Sequence, residues 1–390
     1  MSEIKSVILK LGKEKALINR HHWIFSGAIE KWPKHCDGDV LHVLSHDRQF
    51  LGLAYFNKKA AIAGRMLAFE EMDPEEAIVK NLKQACSLRE SMFDEETNAY
   101  RVVNSEGDLL PGLVVDRYKN VFVLQISTLG MQKFAPIVVE FFKNRYQPCS
   151  ILEKSMGPAR KEEGLEPVQR TLFGEKIEEI IVKENGLNMA VRPFDGQKTG
   201  FFIDHREMRL WIRELAKGRK VLNNFSYSGG FSINALKGKA THVVSVDISK
   251  QAIELAKKNV VLNDLDMSRC HFYAEDVFQF LREHPLNYDL VILDPPAFAK
   301  KAKDIISACR GYKDINRIAM QKMPPKSLLL SCSCSYYIEE ELFQKVLFQA
   351  AVEAKRTVKI IGRHRQAMDH PINICHKESD YLKSFLLYIE

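Results

Sequence analysis

A carboxylate and two thiols stand where two apolar runs end. The run Tyr288 to Leu293 (YDLVIL) leads into Asp294-Pro295-Pro296-Ala297-Phe298, and Ser327 to Leu330 (SLLL) leads into Ser331-Cys332-Ser333-Cys334-Ser335, with Asp294 and Cys332 38 residues apart. Short unbroken apolar runs read as buried parallel strands, and open α/β sheets keep their active sites at the carboxyl ends of such strands. A carboxylate beside a rigid Pro-Pro turn, facing a thiol on the next strand, suits chemistry on a flat polar substrate such as a nucleobase. Carbon 5 of cytosine or uracil becomes nucleophilic once a thiolate adds to carbon 6. It then takes a methyl group from a sulfonium, loses its proton and expels the thiolate. Asp294 would hydrogen-bond the pyrimidine edge as the adduct forms. The same turn also suits holding an exocyclic amine for direct nitrogen methylation, which needs no cysteine. Spacing alone does not choose between Cys332 and Cys334, because residues two apart on a strand share a face.

A second constellation lies upstream. The run Lys220 to Asn224 enters Asn224-Phe225-Ser226-Tyr227-Ser228-Gly229-Gly230-Phe231, and Asp247 ends the next run, 17 residues after Gly230. Glycines after a first strand let a ligand approach the backbone, and an acid ending the second accepts hydrogen bonds from both ribose hydroxyls. The dinucleotide fingerprint G-x-G-x-x-G is absent, so no turn is built for a pyrophosphate. S-adenosylmethionine, with a ribose and an adenine but no phosphate, fits the loop better than a nicotinamide or flavin. Asp276, after a third run, is placed to receive the adenine amino group, although capping of a helix starting at Val277 accounts for it equally well.

The frame that positions these residues is a strand-helix alternation. Strands are expected at Lys220 to Asn224, His242 to Val246, Cys270 to Ala274, Asp289 to Leu293, Ser327 to Ser331, Val358 to Ile361 and Phe385 to Ile389. Helices are expected at Lys250 to Asn263, Val277 to Glu283, Ile315 to Lys322 and Glu339 to Ala354. This is the α/β pattern of a doubly wound parallel sheet. The first 75 residues instead show short alternating segments, such as Asp39 to Leu44 and Phe50 to Tyr55, and read as a small β-rich domain. Asp73-Pro74-Glu75-Glu76 starts a helix to Glu90, with Ala77, Ile78, Leu82, Ala85 and Leu88 as its apolar stripe. Between Tyr100 and Val182, strands at Leu113 to Val115, Val121 to Ile126 and Ile151 to Leu152 surround a helix from Phe134 to Arg145. That pattern reads as a second small α+β domain. Gly157 to Pro167, rich in Glu, Gly, Lys and Pro, reads as a mobile loop.

At 390 residues, 46% hydrophobic and 27% charged, the chain has the composition of a globular protein of two or three domains. The start Met1-Ser-Glu-Ile-Lys lacks the apolar core of a signal peptide, and no run approaches the length of a membrane helix, so a cytoplasmic location with no membrane partner is expected. Eight cysteines without a C-x-x-C pair argue against a disulfide framework or a zinc site, and no metal is expected. Six of the eight read as buried small apolar side chains. The net charge of +7 is uneven: Met1 to His35 holds seven Lys or Arg against three Glu, and Pro295 to Arg317 six against two Asp. Both stretches are consistent with phosphate contact and equally with solvated faces.

The residues quoted so far, with Val244 to Asp247 (VSVD), Cys309 to Asn316 (CRGYKDIN) and Arg365 to Pro371 (RQAMDHP), closely resemble the bacterial 23S ribosomal RNA large subunit methyltransferase I family. The resemblance covers essentially the whole chain. It implies a PUA RNA-binding domain over 1–74, begun by Leu9 to Ile29, and a central EEHEE α+β domain over 75–190. Over 191–390 it implies a class I S-adenosylmethionine-dependent methyltransferase domain with a Rossmann-like, doubly wound seven-stranded sheet. The implied reaction is methylation of carbon 5 of a cytosine in 23S ribosomal RNA, free or in the large subunit, with a homodimer as one implied assembly. In the family the nucleophile lies in a Ser-Cys-Ser segment followed after six residues by Leu-Phe-Gln-Lys, here Leu342 to Lys345, which assigns the role to Cys334. Asp294 is its catalytic partner. The implied cofactor set is Gln197, Thr199 and Phe202 in a closing segment, Asn224, Ser226, Tyr227, Ser228 and Gly229 in the loop, then Asp247, Ile248, Asp276, Asp294 and Pro295. Asn224 and Ser228 stand where relatives often carry Cys and Thr. Tyr312 or Phe298 is the implied stacking partner of an extruded base. Alternatives are methylation of a base nitrogen, and an RNA-binding assembly factor without catalysis.

Overall fold

In the computed structural model, which describes residues 4–390, the alternating amino-terminal segments pair into a six-stranded sheet. Its strands are β1 (Ser6–Leu9), β2 (Trp23–Phe25), β3 (Ile29–Lys31), β4 (Val40–Leu44), β5 (Phe50–Phe56) and β6 (Ile62–Ala68), in the order β2-β6-β5-β4-β1-β3. Met1 to Glu3, part of the basic amino-terminal stretch, lie outside the described residues. Val7, Leu9, Leu41 and Val43 alternate inward to form its core, with helix α1 (Lys15–Ile18) contributing Leu17.

Helix α2 (Pro74–Glu90) starts where expected: the Asp73 side chain accepts hydrogen bonds from the amides of Glu75 and Glu76, with Pro74 at the first helical position. Its inner face differs from the expected stripe. Leu88 is 38% exposed, and the inward position is taken by the fully buried Arg89. Arg89 makes a two-pronged ion pair with Asp108, at 2.6 and 2.8 Å, and also donates to the carbonyls of Arg101 and Asp369. A second sheet follows, of β7 (Ala99–Asn104), β8 (Leu113–Tyr118), β9 (Val121–Ile126), β10 (Ser150–Ser155) and β11 (Val168–Gly174), ordered β11-β10-β9-β8-β7 around helix α3 (Leu129–Tyr146). The segment expected as a mobile loop contains a helical turn, α4 (Pro158–Glu162). Arg160 Nη1 donates to the Ile126 carbonyl at 2.7 Å, and the buried Glu163 accepts from Asn57. Its many charged residues suggested solvent, whereas two of them are anchors. Two short strands, β12 (Ile180–Glu184) and β13 (Leu187–Val191), come next.

The third sheet contains β14 (Lys220–Asn224), β15 (His242–Val246), β16 (Cys270–Tyr273), β17 (Leu290–Leu293), β18 (Ser327–Ser333), β19 (Val358–His364) and β20 (Lys383–Ile389), ordered β16-β15-β14-β17-β18-β20-β19. The seven-stranded Rossmann-like arrangement is as expected. It is not wholly parallel, because β20 inserts antiparallel between β18 and β19. The chain order brings β20 in after a return excursion, so no crossover helix precedes it. The helices are α5 (Arg206–Leu215), α6 (Gly230–Lys237), α7 (Lys250–Val261), α8 (Val277–Glu283), α9 (Ile305–Lys322) and α10 (Glu340–Ala354). Helix α9 begins ten residues before the expected Ile315. The charges of its first turns and Gly311 obscured the helical period. Gly311 is small because the Phe298 ring lies against it, 3.1 Å from where a Cβ would stand.

The chain divides into two compact units. One comprises Met1–Gly186, Val191–Ile203 and Met368–Ser379, and the other Leu187–Ala190, Asp204–Ala367 and Asp380–Glu390. Arg89 therefore ties a helix and a carboxyl-terminal segment within the first unit. Removing one partner of a buried ion pair leaves the other charged and desolvated. Arg89→Ala should thus lower stability in urea unfolding by about 3–5 kcal/mol, while the pair Arg89→Met with Asp108→Asn should cost much less. Equal losses for the two variants would contradict this account.

Candidate functional site

Strands β17 and β18 pair in parallel with Leu290 opposite Leu328 and Leu293 opposite Ser331, and every residue of both is buried. Their carboxyl ends therefore emerge side by side, delivering Asp294 directly after one and Cys334 directly after the other. The Cys334 thiol donates to the Pro295 carbonyl at 3.7 Å. Ser335 stitches the two segments together: its hydroxyl oxygen accepts the Ala299 amide at 3.1 Å and pairs with the Tyr312 hydroxyl at 2.9 Å. The two thiols that spacing left equivalent have different surroundings. Cys332 is fully buried inside β18, where burial and then the adjacent Asp294 carboxylate push its thiol well above the usual range. Cys334 is half-buried.

Two residues that sequence reasoning missed complete this end of the sheet. His205, just before α5, is buried with Nε2 3.2 Å from Asp294 Oδ1. Lys383, in β20 opposite Ser333, is only 4% exposed and donates through Nζ to the carbonyls of Ser335 and Tyr381, both at 2.7 Å. Burial lowers its ammonium to about 8, and the Cys334 sulfur is the leading group acting in the opposite sense. A lysine so placed can stabilise a thiolate or exchange a proton near neutral pH. A signal existed for each. His205 lies three residues after Phe202, between two further charged residues, Asp204 and Arg206, and Lys383 is a lone charge in the run Leu382 to Ile389.

The loop after β14 is wound unusually tightly. Phe225, Tyr227 and Gly229 have φ of 56°, 44° and 78°, a left-handed alternation that costs non-glycine residues roughly 1–2 kcal/mol each. Gly229 also has Ala256 Cβ 2.9 Å from where its own Cβ would stand. Asp247 fixes the turn: Oδ2 accepts the Tyr227 amide and Oδ1 the Ser249 amide, each at 2.9 Å. Asn224 Oδ1 and Ser226 Oγ are buried without a hydrogen-bond partner in the protein. Unpaired buried polar atoms beside a close-approach glycine are what a polar ligand would satisfy, so the residues present fit S-adenosylmethionine.

The structure brings Asn224, Ser226, Tyr227, Ser228, Gly229 and Asp247 into this one turn and its neighbouring strand end. Ile248 beside Asp247 is an exposed apolar side chain. Asp276 caps α8, its Oδ1 accepting the Gln279 amide at 3.0 Å, and its carboxylate is exposed. Gln197, Thr199 and Phe202 fall in the other unit. There the Thr199 hydroxyl is held by Asp116 at 2.5 Å and Tyr118 at 2.9 Å, Gln197 is exposed, and the Lys198 ammonium lies over the Phe202 ring.

Two expectations need correction, for Tyr312 and for the cysteines, and the basic stretch gains detail. Tyr312 is fully buried with its hydroxyl on Ser335, so it belongs to the core and not to a stacking surface; Phe298 packs on it at 4.6 Å. The basic stretch after Pro296 is partly helical: Lys313 pairs with Glu353 and Arg317 with Asp314, which leaves Lys300, Lys301, Lys303 and Arg310 as its exposed bases unmatched by these acids. Of the six cysteines read as buried, only Cys86 is; Cys36 and Cys149 are exposed, and Cys270, Cys309 and Cys375 are intermediate. Residue type alone carried that reading, and those cysteines lie at strand edges and on loops or half-covered helix faces.

A seven-stranded sheet with an acid after its second strand and a tight loop after its first defines a class I S-adenosylmethionine-dependent methyltransferase. Comparison with known proteins agrees. A family profile described as S-adenosylmethionine-dependent methyltransferase matches residues 165–371, and one described as PUA-like domain matches residues 7–69. Curated relatives named ribosomal RNA large subunit methyltransferase I, from Yersinia pseudotuberculosis serotype O:1b (strain IP 31758) and Yersinia pestis bv. Antiqua (strain Angola), are each 38% identical over 387 residues. The alignment covers 97% of this chain and 98% of theirs. The chain belongs to the ribosomal RNA large subunit methyltransferase I family. The solved structure of the methyltransferase SMU.776 complexed with SAH is similar, with a TM-score of 0.85 at 25% identity over 98% of this chain and all of that one. A protein described as a SAM-dependent methyltransferase from Streptococcus mutans shares the fold, with a TM-score of 0.83 at 24% identity over 98% of this chain and 100% of that one. The cofactor is S-adenosylmethionine. Among the described residues, no helix is long and apolar enough to cross a membrane.

The contrast between the two thiols is directly measurable. In the native chain, iodoacetamide should alkylate Cys334 and leave Cys332 intact until unfolding, as read by peptide mass spectrometry. Replacing Lys383 by Met should move the pH midpoint of Cys334 alkylation upward, because a neighbouring ammonium favours the thiolate. Equal labelling of Cys332 and Cys334 would overturn the assignment of burial.

Proposed function

We propose that this chain methylates carbon 5 of a cytosine in 23S ribosomal RNA through a covalent adduct on Cys334. The observation that carries the reading is the position of the Cys334 thiol, half-buried at the end of β18 and hydrogen-bonded to Pro295 of the Asp294-Pro295-Pro296 turn. S-adenosylmethionine, when bound, supplies an electrophilic methyl group. The Cys334 thiolate adds to carbon 6, and Asp294, held by His205, hydrogen-bonds the amino and ring-nitrogen edge so that electron density collects at carbon 5. After carbon 5 has gained its methyl group a water molecule takes its proton, the electron pair of that bond re-forms the carbon 5 to carbon 6 double bond, the carbon 6 to sulfur bond breaks, and the thiolate is regenerated beside the Lys383 ammonium.

Asp247 would accept from the ribose hydroxyls, the loop from Asn224 to Gly229 would receive the remainder of the nucleoside, and the exposed Asp276 carboxylate would accept from the adenine amine. Residues 1–74 serve as the RNA-binding module, 75–190 as the connecting domain and 191–390 as the catalytic domain. The exposed Lys300, Lys301, Lys303 and Arg310 contact phosphates. The substrate is ribosomal RNA in the cytoplasm, free or within the large subunit, met by a monomer or a homodimer.

Cys334→Ala should abolish 5-methylcytosine formation, read by nucleoside mass spectrometry of ribosomal RNA, while cofactor affinity in calorimetry stays within about twofold of the unaltered chain because the thiol lies outside the nucleoside loop. A product that retains its carbon 5 hydrogen would instead support nitrogen methylation. Asp247→Ala should weaken cofactor binding by about 100-fold, the loss expected for two hydrogen bonds to a charged acceptor. An unchanged affinity would remove Asp247 from the site.

A further inference from the structure

We propose that His21, His376 and Glu378 form a structural site for a divalent transition metal of the zinc type, in the unit that carries the PUA-like sheet. One donor atom from each lies within 4.8 Å of the other two. Glu378 spans the histidines, Oε1 3.2 Å from His21 Nε2 and Oε2 3.4 Å from His376 Nδ1. Two imidazoles and a carboxylate are a donor set that zinc takes in protein sites, with a water completing four-coordination.

A second observation points to a ligand. His376 is 1% exposed, and neither of its ring nitrogens has a hydrogen-bond partner. Burying an imidazole with both nitrogens unmatched is costly unless something absent from the chain binds there. The ring is not loosely placed: it stacks on His22 at 5.2 Å with planes 9° apart, meets Trp23 edge-on at 4.6 Å, and its amide donates to the Asn373 carbonyl at 2.8 Å. Both backbone groups of Trp23 face His21 Nδ1, the amide at 3.2 Å and the carbonyl at 3.4 Å. The Trp23 amide donates to Nδ1 in the metal-free ring; in the tautomer that frees Nε2 for a metal, Nδ1 carries the proton and exchanges that bond for one to the Trp23 carbonyl, the second partner that metal-bound histidines ordinarily have.

The charges nearby are compatible with a cation. The guanidinium of Arg65 is already matched by Glu106 at 3.0 Å and Glu163 at 3.5 Å.

The site would fasten one end of the excursion Met368–Ser379 to the start of β2, joining residues 357 apart in sequence. The other end is already fixed by Asp369, whose carboxylate accepts the Arg101 amide and whose carbonyl accepts from Arg89. A clip across so long a loop restricts the unfolded chain strongly.

The test uses the full chain stripped with a chelator and titrated with cobalt(II) or zinc(II). Cobalt should give a visible d–d spectrum of low-symmetry nitrogen and oxygen coordination, saturating at about one metal per chain, and zinc should raise the thermal midpoint. Glu378→Gln, which preserves shape, and His376→Ala should each weaken binding by about 100-fold or more, with the zinc-dependent thermal shift lost. Absence of a d–d spectrum in the unaltered chain, or binding unaffected by both variants, would overturn the proposal. So would a sulfur-to-cobalt charge-transfer band as the only signal, since it would put the metal on the separate cluster of His205, Asp294 and Cys332.

Discussion

The parallel pairing of β17 with β18 is the constraint on which the site depends. Both strands are buried along their full length, so a shift of one residue in register would exchange the side chains packed on the two covered faces and misfit both. The register is therefore fixed by burial, and with it the adjacency of Asp294 and Cys334 at the strand ends. The surrounding hydrogen bonds refine that placement. Ser335 ties the thiol-bearing turn to Ala299 and Tyr312, while Lys383 reaches it from β20. The antiparallel insertion of β20 beside β18 is what delivers a buried ammonium to a cysteine turn, which a wholly parallel sheet would not do.

Energetically, the molecule concentrates its unfavourable features at this end of the third sheet. Left-handed residues at Phe225 and Tyr227, unpaired buried oxygens on Asn224 and Ser226, and a lysine buried beside a thiol all cost stability that the apolar interior of the sheet offsets. Such features persist where a ligand or a reaction makes use of them. The buried ion pair of Arg89 and Asp108 differs in kind, because each group is fully matched and serves to hold helix α2 and the segment around Asp369 in one unit.

Local pattern made much of this legible. Apolar runs bounded by Gly, Pro or Asp located the strands of the third sheet to within a few residues, and the Asp73-Pro74 start of α2 was readable because capping is local chemistry. What was hidden depended on distant partners. Leu88 is a good stripe residue until Asp108 makes Arg89 the better one to bury. Gly157 to Pro167 looked like solvent-facing chain because Asn57 and Ile126, which anchor it, are remote in sequence. The expected strand began at Phe385, so Lys383 was left outside it, and its neighbour Ser335 lies 48 residues away. Asp294 and the two thiols are legible because they follow apolar runs, but only burial separates Cys332 from Cys334.

The central claim is that the Cys334 sulfur bonds to carbon 6 of the target cytosine. A ribosomal RNA substrate carrying 5-fluorocytosine, incubated with the chain and S-adenosylmethionine, tests it most directly, since fluorine at carbon 5 cannot leave as a proton and the adduct cannot collapse. The account predicts a stable protein–RNA complex whose cross-linked peptide, by mass spectrometry, contains modified Cys334. No covalent complex under turnover conditions, or one mapped to Cys332, would contradict it.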